Sequence, residues 1–194
     1  MISRRQRWRR GGQTMVYGGK QMAEAFRTVR ANTIALAEDI PDDKYSFSPT
    51  ADTRTVAAQL AHIACSSAWQ IALCADRVTF VDFERYGKSI ADATARAQTL
   101  TTKAAVLRAL EEEGARFASF LESLPDEALA ETVSFPPPVQ PSTRTRLEML
   151  LAVKEHEMHH RAQLMVYQRL LGIVPHLTRR REAARTAATA GARS

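Results

Sequence analysis

A chain of 194 residues with a net charge of +6, two cysteines and eight glycines can bury a core of its own without disulfides or a structural metal, so a bound metal would be functional rather than structural. No apolar run approaches the ~18 residues needed to span a bilayer, and no apolar segment follows the N-terminal arginines, which excludes a membrane-spanning chain and leaves a cytoplasmic protein as the expectation. The basic excess lies at the ends. Residues 1–14 hold five arginines and no acid, residues 179–194 five arginines and one glutamate, and Met15 to Thr178 holds 17 basic against 20 acidic residues. Arginine-rich ends can grip a phosphate backbone, but solvated, disordered termini are the commoner case. The domain reading is therefore a basic arm or upstream extension (1–14), a body (15–178) and a basic disordered tail (179–194), with nucleic acid as a partner only through the ends.

Along the body, Met22, Phe26, Val29, Thr33 and Leu36 recur at three- and four-residue steps and predict an amphipathic helix over residues 20–39, closed by Pro41. A second helix is predicted from a cap among Asp52 to Thr55 as far as Asp76. It carries an apolar stripe, Val56, Leu60, Ile63 and Ile71, and beside it a mixed stripe, Gln59, His62, Ser66 and Trp69. Burying Gln and His costs several kcal/mol unless each is paired or bound to metal. Cys65 and Cys74, nine residues apart on this one helix, would lie about 13 Å apart along its axis and so cannot bridge each other. Reduced thiols fit an intracellular protein.

Residues 77–101 are the least readable part: a Phe- and Val-bearing anchor, then an Ala-rich piece. A third helix follows from Thr101 or Thr102 to Leu124, stopped by Pro125. Four prolines among the nine residues 134–142 then force an extended path that suits a lid over one end of a bundle. The last helix starts at Thr143 or Thr145, where Thr145 and Glu148 have capping-box spacing, and Gly172 is placed to end it. Four long helices with a long crossover predict an all-α four-helix bundle.

The sequence HEMHH at 156–160 sets His156 and His160 one helical turn apart, a chelating geometry for a divalent ion. Three readings compete. His62 joins the pair in an open three-histidine site; or HEMHH is the H-E-x-x-H pattern of zinc peptidases with Glu157 as base; or the histidines are surface or satisfied core residues. The peptidase reading lacks a good third ligand, since His176 lies past the helix stop and Glu182 sits in the arginine tail.

The run HEMHHRAQLMVYQRLLG (156–172) resembles the HExHHRGQ signature of the DinB/YfiT-like metalloenzyme superfamily, and RTVAAQLAHIA (54–64) resembles that family's second-helix motif. The resemblance implies a four-helix bundle, usually a homodimer, holding zinc, nickel or iron on three histidines, here His62, His156 and His160. It also implies a function: a thiol-dependent transferase that uses a low-molecular-weight thiol on a small-molecule electrophile, with a metal-dependent hydrolase or a non-catalytic DNA-damage or stress-associated binding protein as alternatives. Ala162 stands where the common pattern has Gly, which touches helix packing and leaves the ligands intact. His159 and Arg161 read as supporting residues, Arg161 by pairing with a carboxylate. Gln59, Ser66, Trp69, Gln163 and Tyr167 are candidate pocket residues; none is assigned a catalytic role.

Overall fold

In a computed structural model that describes residues 17–191, the chain is a helical bundle with one small hairpin. Its helices are α1 (Gly19–Asp39), α2 (Val56–Cys65), α3 (Ala68–Ala75), α4 (Phe83–Thr99), α5 (Lys103–Glu122), α6 (Asp126–Ala130), α7 (Arg146–Leu170) and α8 (His176–Gly191). Helices α1, α2, α5 and α7 form the bundle. Each of α1 and α2 packs against both α5 and α7, while α4 lies outside this square against α2 and α3. No described helix is long and apolar enough to cross a membrane.

Local signals set several of the boundaries. The Thr145 hydroxyl accepts the Glu148 N–H at 3.2 Å while the Glu148 carboxylate takes the Thr145 N–H at 2.7 Å, a reciprocal cap that starts α7. Gly172 ends it with φ +77°, a conformation that costs a side-chain-bearing residue about 1–2 kcal/mol. Thr55 and Thr102 cap α2 and α5 with their hydroxyls alone, which accept the N–H groups of Ala58 and Ala105.

Three results differ from the sequence reading. The predicted second helix breaks at Ser66 and Ser67, where the Ser66 hydroxyl donates back to the Ile63 carbonyl and competes with the helical ladder. The proline-rich stretch is no lid. It links β1 (Thr132–Ser134) and β2 (Thr143–Thr145), an antiparallel hairpin held to the 79–81 segment by Ser134 N–H to the Thr79 carbonyl and Val81 N–H to the Ser134 carbonyl, both 2.8 Å. It closes a core of Leu73, Val81, Val133 and Met149 and lends no residue to the histidine-lined cavity. Finally, the basic tail is helical through Gly191, seated by Arg179 on Asp39 at 2.8 Å; the arm at residues 1–14 lies outside the described residues.

The bundle interior has an apolar cluster at each end. One gathers Leu36, Leu60, Leu110 and Leu164; the other gathers Phe26, Phe117, Leu121 and Leu150, with the Phe26 and Phe117 rings edge to face at 4.8 Å. Between them α7 crosses a polar layer containing Glu157 and His160, and the site is built there.

Candidate metal centre

α2 projects His62 into this layer and α7 projects His156 and His160 from successive turns. The His156 Nε2 lies 3.0 Å from His62 Nε2 and 3.0 Å from His160 Nε2, and one nitrogen from each of the three rings falls within 4.8 Å of the others. No other His, Cys, Asp or Glu atom joins the group among the described residues. Three neutral imidazoles aimed at one another have more acceptor lone pairs than protons to share. A tetrahedral ion with Zn–N bonds near 2.0–2.1 Å needs nitrogens about 3.3 Å apart, close to what the rings present. The donor set therefore fits a divalent ion with a position left over.

Electrostatics agree with that fit. Burial, with the Arg54 charge next, pushes His62 down to about 4; burial and the neighbouring His160 and His159 push His156 down to about 4 as well. Burial also lowers His160. The rings are thus neutral near pH 7, the protonation state a ligand requires.

His160 is oriented from behind. Its Nδ1 lies 2.8 Å from Gln163 Oε1 and 2.5 Å from Gln59 Nε2, so two amides hold the ring, and with Nε2 facing the cluster the Gln163 oxygen is the acceptor placed for a proton on Nδ1. Gln163 Oε1 also accepts from Gln59 Nε2 at 2.7 Å, and Arg54 reaches Gln59 Oε1 at 3.4 Å. The His156 Nδ1 is buried without a partner.

Glu157 is withdrawn from the site. Its carboxylate, in a residue 1 % exposed, accepts from Arg30 Nε at 3.1 Å, from Arg30 Nη2 at 2.9 Å and from the Thr33 hydroxyl at 2.6 Å. Arg30 Nη1 donates to the Leu110 carbonyl at 2.6 Å. Its side chain runs over Gly114, where an added Cβ would come within 2.9 Å of Arg30 Cγ. A carboxylate locked in this way cannot take a proton from a water in the cavity, which removes the peptidase reading. Arg161, expected on a carboxylate, instead donates to the Val29 carbonyl at 2.9 Å, and His159 is exposed. His176 opens α8 beside Asn32, at 3.3 Å.

The triad opens on a cavity of about 580 Å³. His62 and His156 form part of its wall, and Ala58, Trp69, Ile90, Ala93, Ala97 and Ala152 supply its apolar lining. Of the candidate pocket residues, Ser66 and Trp69 line it, Gln59 and Gln163 support His160, and the Tyr167 hydroxyl donates to the Arg54 carbonyl at 3.3 Å. The far wall comes from α4, the segment least readable in the sequence, whose contrast is weak because its inner face is mostly alanine and threonine. Cys65 also lines the cavity, and burial raises its thiol, keeping it protonated.

A helical bundle that gathers three histidines from two of its helices beside a small-molecule-sized cavity defines a class of candidate metal-binding proteins. A sequence model of the DinB superfamily matches residues 25–164, and the chain belongs to that superfamily. Its fold is similar to the crystal structure of a DinB-like protein, YjoA, from Bacillus subtilis. The two share 22% sequence identity and a TM-score of 0.58, over 78% of this chain and 92% of the other. No curated protein gives a significant match.

Proposed function

We propose that this protein is an intracellular metal-dependent enzyme, a transferase that joins a low-molecular-weight thiol to a small electrophile, with His62, His156 and His160 holding the ion. The observation that carries the reading is the place of the triad beside the cavity: three ligands, with no fourth His, Cys, Asp or Glu donor among the described residues, and two of them in the wall of a space of about 580 Å³. Zinc, nickel and iron all suit imidazole donors. A bound divalent ion would lower the pKa of a thiol and stabilise its thiolate. The chain's own residues do the rest: Gln163 fixes the His160 tautomer, and the apolar walls exclude water from the reacting groups. Hydrolysis is less well served, because the carboxylate of the H-E-x-x-H pattern, Glu157, is buried on Arg30.

A homodimer is part of the proposal. The outer side of the last bundle helix and the turn after it expose Met158, Val166, Leu170 and Val174 at 44%, 55%, 61% and 50%, and Ala162 between them lets another helix approach closely. A second reading, contact with nucleic acid through the basic end, is favoured by the exposed Arg180, Arg181 and Arg185 of α8. It requires binding that falls steeply with salt and vanishes on removal of residues 1–14 and 179–194.

Elemental analysis of the isolated protein tests the metal: about one ion per chain is expected, and His62→Ala and His156→Ala are expected to lose it. The same preparation is then assayed for thiol conjugation and for ester hydrolysis. Absence of metal, or metal retained by both variants, rejects the reading; hydrolysis without conjugation moves it to the hydrolase.

A further inference from the structure

The charge in the cavity wall is one-sided. Arg54 lines the cavity together with His62 and His156, and no aspartate or glutamate does so among the described residues. Arg54 also makes no ion pair among the described residues; its guanidinium has one long contact, 3.4 Å to Gln59 Oε1. The backbone beneath it is fixed, since its carbonyl accepts the Tyr167 hydroxyl and Thr55, the next residue, caps α2. An exposed guanidinium without an ion-pair partner among the described residues, on a fixed backbone at the edge of an apolar space, is free to turn onto a planar anion, which it can bind through two parallel N–H groups.

The rest of the wall defines what carries the anion. Ala58 on α2, Ala93 and Ala97 on α4 and Ala152 on α7 leave room where larger side chains would meet, and Trp69 offers an aromatic face. The volume, about 580 Å³, is in the range of small-molecule sites.

We propose that the cavity binds a small organic carboxylate with an apolar or aromatic body, its carboxylate on Arg54 and its body against Trp69 and the alanine-lined wall of α4. This names the substrate class of the transferase, and it depends on the metal-centre reading only for which end of the ligand meets the histidines. The carboxylate belongs to the acceptor and not to the thiol.

The test is calorimetric titration of zinc-loaded and metal-free protein with 4-phenylbutyrate and with its uncharged amide, and in parallel with N-acetylcysteine and its amide. Wild type is expected to prefer phenylbutyrate over its amide by about tenfold, as a charge-assisted bond would give. Arg54→Gln is expected to abolish that preference with metal content unchanged. Ala97→Phe, and separately the milder Ala93→Leu, are expected to weaken acid and amide alike, again with metal content unchanged. Equal affinity for acid and amide in wild type overturns the proposal, as does a preference that survives in Arg54→Gln, or one confined to the thiol pair. Metal-free protein separates the two readings: an Arg54-dependent preference there upholds the carboxylate site whatever becomes of the metal centre, and a preference seen only with zinc, unchanged by Arg54→Gln, assigns the carboxylate to the ion and overturns it.

Discussion

Arg30 and Glu157 meet at 2.9 Å with side chains 6% and 1% exposed, and they join α1 to α7 directly behind the histidine triad. Both partners are further satisfied, Glu157 by the Thr33 hydroxyl and Arg30 by the Leu110 carbonyl. Removing one member of such a pair strands a buried charge and typically costs 3–5 kcal/mol, whereas replacing both by apolar groups of similar size is often neutral. Glu157→Ala is therefore expected to lower the unfolding free energy by about 3–5 kcal/mol, and the double variant Arg30→Met with Glu157→Leu to recover most of that loss. Urea denaturation of the single and double variants measures it; a Glu157→Ala protein as stable as wild type would contradict the arrangement.

Gln163 predicts a separable effect on affinity. Its amide oxygen holds the proton on His160 Nδ1, so Gln163→Leu leaves three ligands but loosens one. The expected result is a 10- to 100-fold weaker metal affinity with full occupancy at saturating metal, the usual cost of losing a residue that orients a ligand. Competition with a chelator of known affinity measures this.

Acid is expected to destabilise the metal-free protein. His62 and His156 are held down to about 4 in the fold, whereas in the unfolded chain they titrate near 6.5. As pH falls below 6.5 the unfolded chain takes up protons that the folded one refuses. Stability thus drops between pH 6.5 and about 4, and this contribution levels off below 4. Denaturation midpoints of metal-free wild type at pH 7.5, 5.5 and 4.5 are expected to fall more steeply than those of a His62→Phe, His156→Phe variant.

The apolar outer side of α7 predicts the oligomeric state. Val166, 55% exposed, lies mid-stripe, and Val166→Glu is expected to convert a dimer to a monomer without lowering helix content. Light scattering coupled to size-exclusion chromatography distinguishes the outcomes.

How much of this was readable in the residues depends on the range of the signal. His156 and His160 are four apart on one helix, so their pairing follows from helical pitch alone. His62 stood out because a histidine within a mixed stripe beside an apolar one needs a partner. Thr145, Glu148 and Gly172 announced the ends of α7 through local bonds. Arg30, by contrast, sits next to Val29 on an apolar face, and nothing near it in sequence reveals that its partner lies 127 residues away. The proline-rich stretch does not cover the site for a related reason. Prolines advertise an extended chain but not what it covers, and the true wall, α4, is written in alanines that carry little hydrophobic contrast.

That wall packs on the core through Ala93 and Ala97 and is pinned by polar contacts near its ends. Near its start the Tyr86 hydroxyl donates to Asp76 at 2.7 Å and Arg85 pairs with the same carboxylate at 3.1 Å; near its end Arg96 pairs with Glu113 on α5. Ile90, Ala93 and Thr94, in the span between, contribute to the cavity without contributing a histidine. Evolution is thereby given two nearly independent dials. Substitutions along the middle of α4 can reshape what the protein admits while α2 and α7 keep the histidines in place, so one inherited centre can be fitted to many different small molecules.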